Sequence, residues 1–306
     1  MSGAKASSAR RVTLAVIALI AANLFWAGNF IVGESAVQSF DPLTLVLLRW
    51  AIALVPLVLL AQVIEQPDWR RILAAWRWIL VSSALGIAGY TLLLYYALQH
   101  TDAFNAALIN AVNPALIAIG AAVFLRERLT ALAVAGIVAA LTGVLIILCA
   151  GDLGRLLTVG FGWGELLMLG AVLTWAAYSI VGRLAPKTPP IASTAAQVCV
   201  AVVVLTPLSL LTGGPHIPSE PEALWSLVFI AIFPSVGSYV LWNYALSVLP
   251  ASGAGVFLNL ITVFVALFTF LVGDPVSPAQ IIGGTIVIAG VLAANRRRSR
   301  APSLKA

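Results

Sequence analysis

Polar side chains inside long apolar stretches are the residues of this sequence that could do chemistry. A polar group in a lipid environment is costly unless it pairs within the protein or faces a water-filled cavity, so such residues mark candidate binding positions. Asparagine amides, hydroxyls and aromatic faces suit a compact solute with an apolar or planar body and a few hydrogen-bonding groups. The candidate cavity residues are Asn23, Trp26, Asn29, Phe30, Tyr90, Thr91, Tyr95, Asn105, Asn110, Asn113, Trp175, Tyr178, Ser179, Ser238, Tyr239, Trp242, Asn243 and Asn259.

Two of these groups form helical faces with matching chemistry. At 100° per residue, Asn23, Trp26, Phe30 and Gly33 fall within an arc of about 80°. Trp175 with Tyr178 forms a similar face further along the chain. We favour cavity lining for both tryptophans. The alternative is that each tryptophan packs in the protein or anchors at the membrane interface.

Three asparagines cluster on a later apolar stretch. Asn105, Asn110 and Asn113 span an arc of about 140° on a helix. Pro114 cannot donate a backbone hydrogen bond, so it leaves a carbonyl in the preceding turn free for a polar solute. We interpret the cluster as part of a binding site. The alternative for each residue is interhelical hydrogen bonding, worth about 0.6 kcal/mol per bond.

Charged residues at or near the apolar stretches offer gating or ion-pair chemistry. Arg49 is the one basic residue inside a stretch, and it could bind a substrate carboxylate or pair with Glu34 or Asp41. We prefer the ion pair. Glu34 and Arg183 are either gate residues or helix-end charges at the interface, and the second reading is the commoner one.

Catalytic and cofactor chemistry finds no support in the sequence. No pair of Asp or Glu lies in the middle of an apolar stretch, and His100 and His216 fall in polar joints. Metal-ligand spacing and a nucleotide-binding P-loop are absent, and Cys149 and Cys199 lack CxxC spacing. We therefore predict that the protein is not an enzyme and has no cofactor.

The apolar stretches themselves predict membrane-spanning helices. Hydrophobic residues make up 61% of the 306, charged residues only 9%, and the mean hydropathy is +1.05. Stretches of about 20 apolar residues cross the hydrocarbon core of a bilayer. We predict an all-α membrane protein with ten helices near 12–33, 42–62, 75–98, 103–124, 130–149, 162–183, 191–212, 224–248, 251–272 and 277–295.

The distribution of basic residues predicts the orientation of these helices. With the N-terminus inside, 15 of the 17 Lys and Arg residues lie on the inner side, Arg155 lies outside and Arg49 lies within a span. Cytoplasmic loops accumulate Lys and Arg, so both termini are predicted to be cytoplasmic. The net charge of +6 then reflects topology, and nucleic acid is not an expected partner.

An internal repeat divides the chain into two halves. LFWAGNFIVG at 24–33 matches LTWAAYSIVG at 173–182 in six of ten positions, at an offset of 149. Shorter matches recur at offsets of 148 and 147. Because each half has five predicted helices, the second half must begin on the opposite side of the membrane. We predict two inverted five-helix repeats, at 12–149 and 162–295.

Inverted repeats favour transport, because two such halves can adopt states open to either side of the membrane around a midplane site. The alternatives are a structural duplication without a substrate path and a membrane receptor or scaffold. Gly136 with Gly143 and Gly283 with Gly290 form small-residue faces on the fifth and tenth helices. Such faces predict either an intramolecular packing seam or a homodimer contact.

The chain resembles an EamA-type member of the drug/metabolite transporter superfamily. The resemblance rests on residues 24–30, 106–129, 175–178 and 234–243 and on the closing glycines of the fifth and tenth helices. One departure is Thr262, which stands opposite Pro114 and makes a kink in the ninth helix less expected. The resemblance implies a secondary transporter in the bacterial inner membrane, with the fifth and tenth helices at the periphery.

For the substrate, the residues and the resemblance together favour export of small polar or aromatic metabolites such as amino acids. Purines, nucleosides and riboflavin-type compounds are the alternatives. The expected partners are therefore a small molecule and the lipid bilayer.

Overall fold

The computed structural model describes residues 2–101, 106, 109–149, 154, 162–271 and 277–295, and these residues are predominantly helical. The main helices are α1 (Ser2–Ser39), α2 (Pro42–Glu65), α3 (Trp76–Leu98), α4 (Asn113–Phe124), α5 (Ala131–Cys149), α6 (Trp163–Leu184), α7 (Pro190–Leu211), α8 (Pro221–Val248), α9 (Ala251–Leu271) and α10 (Pro278–Asn295). A short helix, Trp69–Ala74, precedes α3.

Seven of these helices are long and apolar enough to cross a membrane, namely α1, α2, α3, α6, α7, α8 and α9. The described parts of α4, α5 and α10 are shorter apolar helices. Isoleucine, leucine and phenylalanine side chains stay exposed along many of them, as lipid contact requires. The protein is therefore a multi-pass, all-helical membrane protein, while the arrangement as five plus five spans stays a prediction.

The first helix is longer than predicted. It runs from Ser2 to Ser39, well beyond the expected 12–33, because nothing breaks it before Asp41-Pro42. Proline disfavours helical geometry at the residue before it, and Asp41 precedes Pro42, so α1 ends at Ser39. The Asp41 carboxylate accepts a hydrogen bond of 2.9 Å from the Thr44 backbone N–H and caps α2. Glu34 is thus an exposed residue inside α1 rather than one at its end.

Helical irregularities interrupt the paths of α4 and α9 at comparable positions. A turn at Ala111–Val112 precedes α4, which restarts with Pro114 in its first turn. In α9, a 3₁₀ stretch at Val256–Asn259 separates two α-helical parts. The ninth helix is therefore irregular even though Thr262 stands where the first half has Pro114. Such a mid-helix stretch often marks a hinge or a functional position.

Two π-helical stretches reproduce the repeat in three dimensions. They cover Ser83–Gly89 in α3 and Ala231–Gly237 in α8, and their start and end points are both 148 residues apart. The sequence repeat has the same offset at Tyr96 and Tyr244. Because π-helical turns release backbone carbonyls from the regular ladder, both stretches provide hydrogen-bond acceptors inside the protein.

The glycine faces of α5 and α10 pack against each other within one chain. A Cβ built on Gly143 would lie 2.5 Å from the Gly283 carbonyl oxygen, and one on Gly136 would lie 2.6 Å from that of Gly290. Of the two readings of these faces, the seam agrees with the geometry. A homodimer would have to use the opposite faces, where Val138 and other aliphatic side chains are exposed.

Two glutamates join helix ends on the face that the arginine distribution predicts to be cytoplasmic. Glu65, at the end of α2, accepts hydrogen bonds of 3.0 and 2.8 Å from the Ile191 and Ala192 backbone N–H groups of α7. Glu127, beyond α4, accepts one of 3.0 Å from the Ala251 N–H of α9. A carboxylate at a helix N-terminus satisfies free donors and the helix dipole. Each contact joins helices that the predicted repeat makes equivalent, α2 with α7 and α4 with α9.

Candidate functional site

Aromatic side chains from four helices meet at the centre of the molecule. The Trp26 ring of α1 and the Trp175 ring of α6 contact edge to face, with centroids 5.0 Å apart. Tyr239 and Trp242 of α8 pack on both tryptophans, with centroids between 5.5 and 5.9 Å away. The repeat-related tryptophans are therefore direct neighbours. We call Trp26, Tyr90, Trp175, Tyr178, Tyr239 and Trp242 the aromatic cluster.

The π-helical stretch of α3 holds this cluster in place. The Tyr239 hydroxyl donates a 2.6 Å hydrogen bond to the Gly86 carbonyl, and Trp50 Nε1 donates one of 3.1 Å to the Ile87 carbonyl. The Tyr178 ring lies against Gly86, where a Cβ would come within 2.3 Å of it. Only glycine leaves room for this contact, so the residue type at 86 and the π-helical geometry together position two tyrosines.

A small chamber lies on one side of the aromatic cluster. Its volume is about 20 Å³, close to the space of a single water molecule. It is lined by Trp26, Asn29, Phe30, Arg49, Tyr90, Thr91, Leu94, Asn110, Asn113, Trp175, Tyr239, Leu258 and Ile261. Two polar atoms of this lining are buried without a hydrogen-bond partner, Asn113 Oδ1 and Trp175 Nε1. The chamber thus combines aromatic walls with free polar groups.

Arg49 of α2 is one of the residues that line this chamber. The side chain is 2% exposed. Nε donates a hydrogen bond of 2.8 Å to Ser235 Oγ, and Nη1 donates one of 2.6 Å to the Tyr95 hydroxyl, which donates to Asn29 Oδ1 at 2.9 Å. The guanidinium carbon lies 5.1 Å from the centroid of the Trp50 ring, within the range of a cation–π contact.

The ion pair predicted between Arg49 and Glu34 or Asp41 does not form in the structure. Neither Glu34 nor Asp41 lies within ion-pair distance of the guanidinium, and the described part of the chain holds a single salt bridge, between Arg71 and Asp68. Arg49 instead bonds to Ser235, in the π-helical stretch of α8, and to Tyr95 of α3. Neutral hydroxyls therefore take the place of the carboxylate.

A larger vestibule opens on the other side of the aromatic cluster. Its volume is about 600 Å³, within the range of small-molecule sites. It lies among the first turns of α3 and α7 and the last turns of α6 and α8. Its inner end includes Tyr178 and Asn243, whose amide Nδ2 donates hydrogen bonds to the Tyr178 hydroxyl at 2.8 Å and to Thr194 Oγ1 at 2.9 Å.

The aromatic cluster separates the two cavities. Tyr178 lines the vestibule, Trp175 lines the chamber, and their ring centroids are 5.3 Å apart. Arg11, Arg183 and Lys187 line the vestibule, and its lining includes no Asp or Glu among the described residues. Arg183 also donates a 2.7 Å hydrogen bond to the Leu246 carbonyl, which joins α6 to α8.

The structure divides the sequence-predicted cavity residues into three groups. Nine line the chamber, namely Trp26, Asn29, Phe30, Tyr90, Thr91, Asn110, Asn113, Trp175 and Tyr239. Tyr178 and Asn243 line the vestibule. Six line neither cavity, namely Asn23, Tyr95, Ser179, Ser238, Trp242 and Asn259. Asn105 lies outside the described residues.

Three residues of the third group use their polar side chains in hydrogen bonds to the backbone. Asn23 and Ser179 donate to the carbonyls of Leu19 and Trp175 in their own helices, and Ser238 donates to the Ala22 carbonyl of α1. Only the Ser238 bond joins two helices, whereas those of Asn23 and Ser179 stay within one helix. Asn259 is buried with both amide atoms unpartnered.

Sequence reasoning missed some residues that shape the site. Leu94, Leu258 and Ile261 line the chamber but carry no chemical signal, so only packing identifies them. Ser235 was not missed: the sequence already places it with Ser238 and Tyr239 on one face of helix eight, and in the structure it accepts the hydrogen bond from Arg49 Nε.

Comparison with known proteins agrees with these features. A model of the EamA-like transporter family matches residues 13–149 and again residues 162–296. The chain is 30% identical over 285 residues to the uncharacterized transporter YyaM of Bacillus subtilis, covering 91% of this chain and 92% of that protein. An uncharacterized transporter of Archaeoglobus fulgidus is also 30% identical, over 88% of this chain and 92% of its own length.

Two further relatives add a substrate name and a solved fold. A protein of Streptantibioticus cattleyicolor named as a probable terminal-alkyne amino-acid exporter is 27% identical, over 94% of this chain and 95% of its own. A crystal structure of a protein 22% identical in sequence superposes with a TM-score of 0.74, covering 94% of this chain and 99% of that one. On the two family matches and the relatives at 30% identity, this chain belongs to the EamA-like transporter family.

Proposed function

We propose that the protein is a secondary transporter that exports small polar or aromatic metabolites, amino acids first among them, by alternating access. The observation that carries this proposal is the aromatic cluster, which closes a polar chamber on one side and a vestibule on the other. Barriers of this kind, between two cavities on one path, are what a transporter must open and close in turn.

The proposal includes ten spans in two inverted halves, 12–149 and 162–295, with both termini in the cytoplasm. The π-helical stretches 148 residues apart and the direct contact of Trp26 with Trp175 support the repeat. The basic rim of the vestibule supports an opening towards the cytoplasm, where Lys and Arg accumulate.

The opening of the vestibule, with the aromatic cluster closed behind it, supports an inward-open reading of this state. Beside the cluster, α1 and α8 pack closely, since a Cβ on Gly28 would lie 2.8 Å from the Phe229 ring and one on Gly237 would lie 3.0 Å from the Phe25 ring. Phe25 and Phe233 also contact, with ring centroids 5.3 Å apart. Phe233 is 43% exposed, so these contacts hold the two helices together at the outside of the protein.

Amino acids come first among the substrates for two reasons. The chamber offers a cation, amides and aromatic faces, which together suit a carboxylate, an amino group and a side chain. A relative of this chain is named as an amino-acid exporter. Purines and flavins share the planar body that aromatic walls accommodate, so they belong in the same test.

A flux screen tests the proposal. Purified protein in sealed proteoliposomes is loaded with unlabelled amino acids, purines or flavins, and uptake of the labelled compound by exchange is measured against protein-free vesicles. We expect exchange for a subset of amino acids. Exchange of purines or flavins alone would assign the alternative substrates, and absence of exchange for all three classes would favour a receptor or scaffold.

A further inference from the structure

The chamber is lined by a buried positive charge that has no negative partner among the described residues. Arg49 donates to two neutral hydroxyls, and in the described part of the chain no carboxylate lies within ion-pair distance of it. Taking a guanidinium out of water costs several kcal/mol, and neutral hydrogen bonds offset only part of this. A buried cation that costs this much calls for an anion that arrives from outside the protein.

Free hydrogen-bonding atoms surround the same space. Arg49 Nη2 donates no hydrogen bond to a described residue, and Trp175 Nε1 and Asn113 Oδ1 are buried without partners. Asn113 is 1% exposed and Trp175 is 3% exposed. Buried polar atoms without partners are rare in folded proteins. Residues that line the chamber therefore carry two donors and one acceptor that would pair with a ligand accepting at one end and donating at the other, once the chamber widens.

The vestibule has the charge that such a ligand would meet on its way in. Arg11, Arg183 and Lys187 line it without an acidic residue among the described lining. A cleft of one sign concentrates ligands of the opposite sign and repels those of its own. Basic residues also accumulate at cytoplasmic helix ends for topological reasons. The charge of the vestibule is therefore the weaker argument, and the inference depends on the chamber.

We propose that Arg49 binds a carboxylate of the transported solute, so that the substrates are organic acids or zwitterions and exclude simple amines. This inference rests on the proposed transport function. Arginine and a carboxylate form paired, charge-assisted hydrogen bonds, which would use the free Nη2. A protonated amino group then fits Asn113 Oδ1 and the face of a tryptophan. The chamber must widen for binding, because its present volume holds only about one water molecule.

The test compares an acid with its amide. L-Phenylalanine and L-phenylalaninamide share one body and differ at the carboxylate, as do 3-phenylpropionate and 3-phenylpropionamide. Binding to the purified full-length protein is followed by intrinsic tryptophan fluorescence and by thermal stabilisation, and exchange is measured in proteoliposomes. We expect each acid to bind at least about tenfold more tightly than its amide.

Substitutions at Arg49 locate the preference. Arg49→Gln introduces the residue type found at the repeat-related position 197, and it should remove the preference for acids. Arg49→Lys keeps the positive charge but loses the planar guanidinium, so it should retain a weaker preference for acids. This variant also controls for a folding defect caused by loss of the charge at position 49. Arg77→Gln removes an exposed arginine that lines neither cavity and should leave the acid-to-amide ratio unchanged.

The outcomes separate the inference from the transport function. Exchange of amino acids with equal binding of acid and amide, or an unchanged preference in Arg49→Gln, overturns the role of Arg49 and leaves transport intact. Acid-selective binding that Arg49→Gln abolishes, without exchange, upholds the site and overturns transport. If no acid binds to the wild-type protein even at millimolar concentration, the inference is wrong.

Discussion

Trp26 and Trp175 are the residues in which packing and transport are hardest to separate. Each is less than 10% exposed, and each contacts the other and lines the chamber. Buried tryptophans contribute to stability through their area alone. Trp175 also carries a buried Nε1 without a hydrogen-bond partner, as Trp242 does, but Trp175 lines the chamber and Trp242 does not.

We expect Trp26→Ala and Trp175→Ala each to reduce exchange by about tenfold or more, while membrane abundance stays normal. The reason is that both rings form the barrier and the chamber wall, where an error in positioning is amplified in the rate. Trp225→Ala is the matched control, because Trp225 is 72% exposed and should tolerate the change. If either central variant disappears from the membrane instead, packing is the role of that residue.

The residues that line the two cavities also bear on the pH dependence of exchange. No carboxylate or histidine occurs in the described lining of the chamber or the vestibule, and Glu34 is exposed within α1. We therefore expect exchange to change little between about pH 6 and 8, the window in which histidine titrates. The measurement is a pH series of initial exchange rates. A steep dependence that Glu34→Gln abolishes would contradict this prediction.

At the scale of helices, the α5–α10 seam depends on the absence of side chains. The Cβ of an alanine at position 143 would lie 2.5 Å from a backbone oxygen of α10, and the backbone cannot yield as a flexible side chain can. Gly182 of α6, by contrast, has no atom within 4 Å of such a Cβ. The two glycines form a matched pair within one chain.

We expect Gly143→Ala to lower the free energy of unfolding by about 1–3 kcal/mol, as overpacking does. Gly182→Ala should leave it unchanged or raise it by about 0.5–1 kcal/mol, because alanine favours helices over glycine. Thermal unfolding of both variants in the same detergent measures the difference. Equal stability of Gly143→Ala and the wild type would show that the helices separate easily along this seam.

The Glu65 cap is the second interaction at this scale. Glu65→Gln removes the charge and one of the two acceptor oxygens that bind the Ile191 and Ala192 N–H groups. Loss of a cap of this kind costs about 1 kcal/mol, so the unfolding midpoint should fall. Glu34→Gln is the control, since Glu34 is exposed on α1. A midpoint equal to that of the control would mean that water replaces the cap.

For the whole molecule, the central question is which face of the membrane the vestibule meets. Lys187 and His216 are exposed residues that flank α7 at opposite ends. In a background without Cys149 and Cys199, we expect Lys187→Cys to resist a membrane-impermeant maleimide in intact cells and His216→Cys to react. Permeabilised cells should label both. The reverse pattern would place the vestibule on the outer face.

The sequence by itself determined the class of the molecule and its family. Apolar stretches, the Lys and Arg distribution and the 148-residue offset are local or periodic features, and a helix in lipid expresses them without reference to its neighbours. The prediction of membrane-spanning helices and the resemblance to EamA-type transporters are confirmed on this basis.

Only the tertiary structure decided which polar side chains meet. Asn23 and Ser238 bind backbone carbonyls, Arg49 binds neutral hydroxyls instead of a carboxylate, and the glycine faces close on each other. These outcomes depend on the rotation of each helix and on the close approach of its neighbours. The helical period specifies a shared face, but tertiary packing chooses the partner of that face.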